Sequence, residues 1–127
     1  MDLYLLSPEI YVDATRSPSG PPAQLFSAYV GMTDTVGFVV TPWIQNQIQE
    51  QLVAAGYAEE TAKDQAEFIA SLGHAAEDPK KLGDEPLIAI AKSLKLDAIY
   101  HASGKGDETI DGVQYKPVSD LMKIVKK

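Results

Sequence analysis

The chain has 127 residues, the size of a single domain with room for a hydrophobic core. Its apolar fraction of 45% and charged fraction of 23% are typical of soluble globular proteins. Because there is no cysteine, disulfides, thiolate catalysis and cysteine-bound metals are excluded. No apolar run approaches the roughly 20 residues of a membrane helix, and the one near the N-terminus is too short for a signal peptide, so we expect a cytoplasmic protein.

The net charge of −7 is unevenly distributed along the chain. Residues 1–78 hold eleven acidic and two basic side chains, a net charge of −9, whereas residues 79–127 hold nine lysines and seven acidic side chains, a net charge of +2. An acidic surface of this kind repels nucleic acid and anionic membranes and attracts basic proteins. We therefore expect the partner to be another protein with a basic surface, and we expect neither nucleic acid nor a membrane.

The first quarter of the chain has the pattern of short strands and a loop. Residues 3–6 and 9–12 are apolar runs of the strand type, separated by a proline that indicates a kink or an edge. Residues 24–31 combine aromatic and β-branched side chains, which favour a strand, although their spacing also permits a short helix. Between these runs, residues 14–23 are rich in Ser, Pro and Gly, which predicts a flexible loop. We predict a meander of three or four strands before the first helix.

A strand followed by a helix over residues 35–56 is the clearest unit of the sequence. The run at 36–40 is apolar and largely β-branched, which is typical of a buried strand. Thr41 is a good N-cap, and proline at position 42 suits the first position of a helix. The helix then has one apolar face and ends before Gly56. The residues of that face are Ile44, Ile48, Leu52 and Ala55.

A second helix is predicted over about residues 58–72. The short link before it makes the segment 41–72 an antiparallel helix hairpin. The outward face of the second helix carries Glu60, Asp64 and Glu67 at the spacing i, i+4 and i+7, which forms a row of like charges. We interpret this acidic face as the partner-binding surface.

The C-terminal half adds a helix over residues 86–96, a strand over 97–101, a hairpin with an Asp111-Gly112 turn, and a last helix after Pro117. A helix that leads directly into a buried strand is typical of layered folds with helices on a sheet. We predict one α+β domain over residues 1–127, with a mixed β-sheet and about four helices packed mainly on one face.

One candidate ligand site surrounds the loop at residues 101–108. His101 ends a predicted strand, and the loop after it supplies Ser103, Lys105 and backbone amides freed by glycine, which together suit an anion. Thr41 and Trp43 follow another strand and reach the same edge of the sheet when the two strands are parallel. The loop lacks the spacing of a phosphate-binding P-loop, and its composition is equally typical of an ordinary turn.

Two functions follow from these observations. The sequence shows no recognisable set of catalytic residues, and its N-terminal part is acidic. Both observations favour a small, acidic, non-enzymatic regulatory module of the inhibitor or adaptor kind. It would bind protein through Glu60, Asp64 and Glu67. The alternative is a small-molecule or anion-binding protein, or a small enzyme, with its site at residues 101–108. We expect no cofactor and no metal, and the edges of short strands allow a homo-oligomer.

Overall fold

The computed structural model describes residues 2–32, 34–101 and 109–125, and six strands and six helices lie within these ranges. In chain order they are β1 (Asp2–Leu6), α1 (Pro8–Arg16), α2 (Pro21–Val30), β2 (Val36–Val40), α3 (Pro42–Ala54), α4 (Glu59–Leu72), β3 (His74–Ala75), α5 (Pro86–Ser93), β4 (Ala98–His101), β5 (Thr109–Ile110), β6 (Val113–Pro117) and α6 (Val118–Val125).

The strands form one mixed sheet in the order β3-β2-β1-β4-β6-β5. Neighbouring strands run parallel, except that β5 is antiparallel to β6. The chain therefore starts in the middle of the sheet, builds outwards through β2 to β3, and then returns past β1 to add β4 on the other side. The predicted α+β class with a mixed sheet is confirmed, and the helices number six within the described ranges instead of about four.

The helices lie mainly on one face of the sheet, as predicted. The crossovers from β1 to β2 and from β2 to β3 both move towards the β3 edge of the sheet. The crossover from β3 to β4, which contains α5, moves towards the opposite edge. Because such crossovers are right-handed, α1 to α4 cover one face and α5 covers the opposite face. Helix α6 contacts α2 and therefore joins the larger group, while α5 packs on β4 and β6.

The predicted N-terminal meander is wrong, because residues 8–16 and 21–30 are helices. Proline occupies the first position of both helices, where its missing N–H breaks no hydrogen bond and its fixed φ suits the helix. The prolines that indicated strand edges and a loop therefore start helices. Packing then overrides the strand preference of the β-branched and aromatic residues, since Ile10, Tyr11 and Leu25 are fully buried against the rest of the core.

The segment proposed as a loop over 14–23 is shorter than expected. Helix α1 continues to Arg16 and α2 begins at Pro21, so only residues 17–20 lie between the two helices. The flexibility of this segment stays a prediction.

The helix hairpin over 41–72 is confirmed in the contact between α3 and α4. The Thr41 hydroxyl accepts a hydrogen bond of 3.2 Å from the backbone N–H of Ile44, as an N-cap does. Ile44, Ile48 and Leu52 are completely buried, whereas Ala55 lies exposed at the end of the helix. Gly56 has a φ of 105°, a value open to glycine without steric cost, and it turns the chain towards α4.

The C-terminal half follows the predicted order of elements. Helix α5 ends at Ser93, three residues earlier than expected, and Lys95 then adopts a φ of 59° that leads the chain into β4. Asp111 and Gly112 both have positive φ, as a two-residue hairpin turn of the primed type requires. This hairpin joins β5 to β6 at one edge of the sheet.

Candidate functional site

A groove opens between three helices, two of which are consecutive in the sequence while the third comes about 30 residues later. Its walls come from α1, α2 and α4, and its floor is the β2 residue Phe38. Its volume is about 300 Å³, and the side chains around it are mostly apolar. We call it the α1–α2–α4 groove, and its lining is Tyr11, Ala14, Thr15, Pro18, Ala23, Phe26, Ser27, Tyr29, Val30, Phe38, Gln65, Phe68, Ile69, Leu72 and Gly73.

Aromatic rings hold the floor of this groove in place. The rings of Tyr29 and Phe38 are stacked, with centroids 4.0 Å apart and an interplanar angle of 9°. Phe26 meets Phe38 edge-on at 5.6 Å and meets Tyr11 at 5.1 Å. Such pairs add to the stability that burial alone gives. The floor of the groove is thus held by ring contacts within the chain.

Polar contacts join the walls of the groove across the helices. The Tyr29 hydroxyl donates a hydrogen bond of 2.7 Å to the carbonyl oxygen of Leu72, which ties α2 to the end of α4. The Gln65 side-chain amide donates to the Thr15 hydroxyl at 3.1 Å, which ties α4 to α1. Burial, together with the nearby Tyr29, raises the pKa of the Tyr11 hydroxyl far above its usual value, so Tyr11 stays neutral.

Two exposed hydrophobic residues stand at this groove. Phe68 is 57% exposed and Val30 is 55% exposed, and both line it. In the described part of the chain the remaining large exposed hydrophobic residue is Val53, on α3, which does not line the groove. Adjacent exposed apolar side chains mark a candidate contact surface more clearly than single ones do.

The three residues predicted to bind a partner lie on α4, the helix that supplies one wall of the groove, but they do not line it. Glu60, Asp64 and Glu67 are all exposed on α4. Glu60, Asp64 and Phe68 follow one another at intervals of four, so they share one side of the helix. Glu60 and Asp64 therefore point to the same side of α4 as the exposed ring of Phe68. The sequence identified the acidic face but not the apolar groove, whose lining comes from three separate helices.

A second pocket lies at the carboxyl ends of the central strands. From β1 the chain turns towards β2, and from β4 it turns the other way, so the point between β1 and β4 is the topological switch of the sheet. Ser7 directly follows β1, and its backbone N–H donates to the Tyr100 carbonyl of β4 at 2.8 Å, which places the two strand ends side by side. Ligands of open α/β sheets bind at such points.

This switch-point pocket has a volume of about 230 Å³. It brings together His101 and Trp43, two of the residues predicted from the sequence. His101 is buried, and its ring lies 6.1 Å from that of Tyr115. The full lining among the described residues is Ser7, Glu9, Trp43, Glu85, Pro86, Leu87, His101 and Tyr115.

The other residues predicted for this site have different positions. Thr41 is buried as the cap of α3 and does not line the pocket, while Ser103 and Lys105 lie outside the described residues. Two carboxylates, Glu9 and Glu85, line the pocket and were not predicted. The sequence predicted a strand at Glu9. Glu9 comes three residues after Leu6, where a buried apolar run ends. A polar residue soon after such a run is a signal for the carboxyl edge of the sheet.

A carboxylate outside the pocket positions Trp43. The backbone N–H of Trp43 donates a hydrogen bond of 3.0 Å to the Asp78 side chain, which comes from the segment between β3 and α5. This bond satisfies one of the free N–H groups at the start of α3 and places a negative charge where the helix dipole favours it.

Over residues 2–32, 34–101 and 109–125, no three or more His, Asp or Glu side chains are grouped closely enough to hold a metal ion. None of the helices in those ranges is long and apolar enough to cross a membrane.

The fold is that of an α+β domain with a largely parallel central sheet, and a solved structure has a similar fold. No family model and no curated protein matches the sequence significantly. A chain in the crystal structure of VapBC2 from Rickettsia felis bound to a DNA fragment from their promoter has a similar fold, with a TM-score of 0.66. The match covers 91% of this chain and 98% of that chain at 10% sequence identity, which shows likeness of fold alone.

This likeness corrects the expectation that nucleic acid is excluded as a partner. The expectation rested on the acidic surface inferred from the uneven charge, with a net charge of −9 over residues 1–78. The VapBC2 chain of similar fold belongs to an assembly that is bound to DNA. Net charge is a property of the whole chain, whereas partners bind a local surface or a larger assembly, so the exclusion does not hold.

Proposed function

We propose that this chain is a small, acidic regulatory protein of the cytoplasm that binds another protein, in the manner of an inhibitor or an adaptor. The observation that carries the proposal is the α1–α2–α4 groove, with Phe68 and Val30 exposed at it and with an exposed acidic row on the same helix α4. Exposed aromatic rings around a preformed apolar groove are typical anchors of protein–protein contacts.

The surface also indicates the chemistry of the partner. An apolar groove binds a segment whose apolar side chains point to one side, such as an amphipathic helix. Glu60, Asp64 and Glu67 are exposed on α4, the helix that supplies one wall of the groove, so basic residues in the partner would complement them. The proposed surface therefore combines the acidic face, which the sequence indicated, with an apolar groove, which the sequence did not indicate.

Phe68→Ser is expected to weaken partner binding by at least about tenfold, the loss of a minor hot spot. Phe68 is exposed, so the free energy of unfolding should change little. The partner is first identified by affinity capture from the native host, and its dissociation constant is then measured by calorimetry. Val53→Ser, the matched control on α3, should stay within about twofold of the original. Equal losses for the two variants would refute the groove as the binding surface.

Reversal of Glu60, Asp64 and Glu67 to lysine is expected to abolish capture of the same partner. Exposed charges contribute only about 0–1 kcal/mol each to stability, so the melting temperature should stay nearly unchanged. The control is the same reversal at three other exposed acidic residues, Asp34, Glu77 and Asp97, which changes the net charge equally. If capture survives the first triple reversal, or is lost equally in the control, the acidic face of α4 does not bind the partner.

Small-ligand binding is a second candidate function, and one observation favours it. His101 and Trp43, which are 58 positions apart, line the same pocket at the switch point of the sheet. A compound that binds there would raise the melting temperature, because it stabilises the folded state alone. The fluorescence titration of Trp43 set out below tests this function together with the chemistry of the ligand.

A further inference from the structure

The switch-point pocket has walls of two chemical kinds. Its lining includes the carboxylates of Glu9 and Glu85 and also rings and hydrocarbon from Trp43, Pro86 and Tyr115. We propose that this pocket binds a small organic cation, an alkylammonium or alkylguanidinium compound. The proposal rests on the ligand-binding function given second above and assigns a ligand class to it.

The charge of the pocket favours a cation. Glu9 and Glu85 line it, and within the described part of the chain His101 is the basic side chain in its lining, with no lysine or arginine beside it. Asp78 adds a third carboxylate close by, because its side chain accepts the Trp43 backbone N–H at 3.0 Å. Several negative charges around one concave site raise the local concentration of cations there. The anion that the sequence suggested depends on Lys105, which lies outside the described residues.

The uncharged walls favour an organic cation over a bare ion. Trp43 is half-buried at the pocket and offers the ring type that attracts cations most strongly. Pro86 and Leu87, in the first turn of α5, are also half-buried and offer hydrocarbon against which an alkyl chain can bury its surface. Since the hydrogen bond to Asp78 fixes the backbone at Trp43, the aromatic wall is in place before a ligand binds.

The size of the pocket limits the ligand. A volume of about 230 Å³ holds about eight water molecules at their share of roughly 30 Å³ each. Butylguanidinium has about as many non-hydrogen atoms, and it combines a planar charged head with a short alkyl chain, so it is a suitable probe. Butylurea has nearly the same shape without the charge, and it is the matched neutral control.

Trp43 is the only tryptophan in the chain, so its fluorescence reports directly on this pocket. Titration with butylguanidinium is expected to give a saturable change in that fluorescence, and butylurea is expected to give none. Equal saturation by butylurea would keep the pocket as a ligand site but overturn the cation assignment. The cation assignment would also be overturned if phosphate or magnesium gave a saturable change in the fluorescence and butylguanidinium gave none. No change with any of the four would overturn both the assignment and the ligand-binding function.

Two neighbouring substitutions test the role of the carboxylates. Glu85→Gln removes a charge that lines the pocket, and since the Glu85 side chain makes no capping bond to α5, the fold should be kept. It is expected to weaken butylguanidinium binding by about threefold to tenfold. Asp84→Asn removes the same charge one residue earlier, at an exposed side chain outside the pocket, and should change binding by less than about twofold. Equal effects of the two variants would overturn the assignment.

Discussion

Ile48→Ala is expected to lower the free energy of unfolding by about 2–5 kcal/mol, the usual range for shortening a core aliphatic side chain. Ile48 is completely buried at the middle of the inner face of α3, between Ile44 and Leu52. Helix α3 contacts α1, α4 and β2, so a cavity there lies where three elements meet. Neighbouring groups can close such a cavity only partly.

The measurement is urea unfolding of this variant beside Gln47→Ala. Gln47 is the preceding residue and points about 100° away around the helix, and its side-chain amide donates to Glu50 at 3.3 Å in an exposed position. Its replacement should change stability by no more than about 0.5 kcal/mol. If Gln47→Ala were the more damaging of the two, α3 would face the sheet with its amide side, and the packing described above would be wrong.

Gly73→Ala is expected to destabilise the protein by about 1–3 kcal/mol, as over-packing of a filled interior does. Gly73 follows α4 and passes close to β2. A Cβ atom there would lie 2.7 Å from a methyl carbon of Val40 and 2.8 Å from the carbonyl oxygen of Phe38. Backbone atoms of a central strand cannot move aside cheaply. The close approach also brings Leu72 within reach of Tyr29, so the substitution should disturb one wall of the α1–α2–α4 groove.

The control for this prediction is Gly31→Ala, which makes the same chemical change at the end of α2. The new Cβ atom would meet nothing closer than the Ala28 carbonyl oxygen at 3.7 Å, and Gly31 has an ordinary φ of −82°. Its replacement should be neutral or should stabilise by up to about 1 kcal/mol, because alanine restricts the unfolded chain. Urea midpoints of the two variants are compared. A loss at Gly31 as large as that at Gly73 would contradict the steric explanation.

Sequence reasoning was most successful where neighbouring residues contain the whole signal. The cap at Thr41, the apolar spacing of Ile44, Ile48 and Leu52, and the stop at Gly56 all act within one helix. The Asp111-Gly112 turn is equally local, since positive φ at two adjacent positions depends on those two residues. In these cases the local preference and the tertiary packing agree, so the local signal is sufficient.

The N-terminal error had a physical cause of the opposite kind. The run from Ile10 to Val12 suits a strand by intrinsic preference, but α1 buries these residues against α2 and α3. The intrinsic difference between helix and strand for such residues is about 1 kcal/mol or less, whereas burying one large side chain is worth about 1.5–3 kcal/mol. Tertiary burial therefore decides the outcome, and a proline at the start of each helix is compatible with it.

By itself the sequence determined the α+β class, the helix hairpin over 41–72, the acidic face of α4 and the position of His101 at a strand end. These features depend on periodicity, caps and charge within short segments. Only the tertiary structure decided the strand order, the exposure of Phe68 and the meeting of Glu9, Trp43 and Glu85 in one pocket. Those features depend on which distant segments become neighbours, and that choice is made by the packing of the whole core at once.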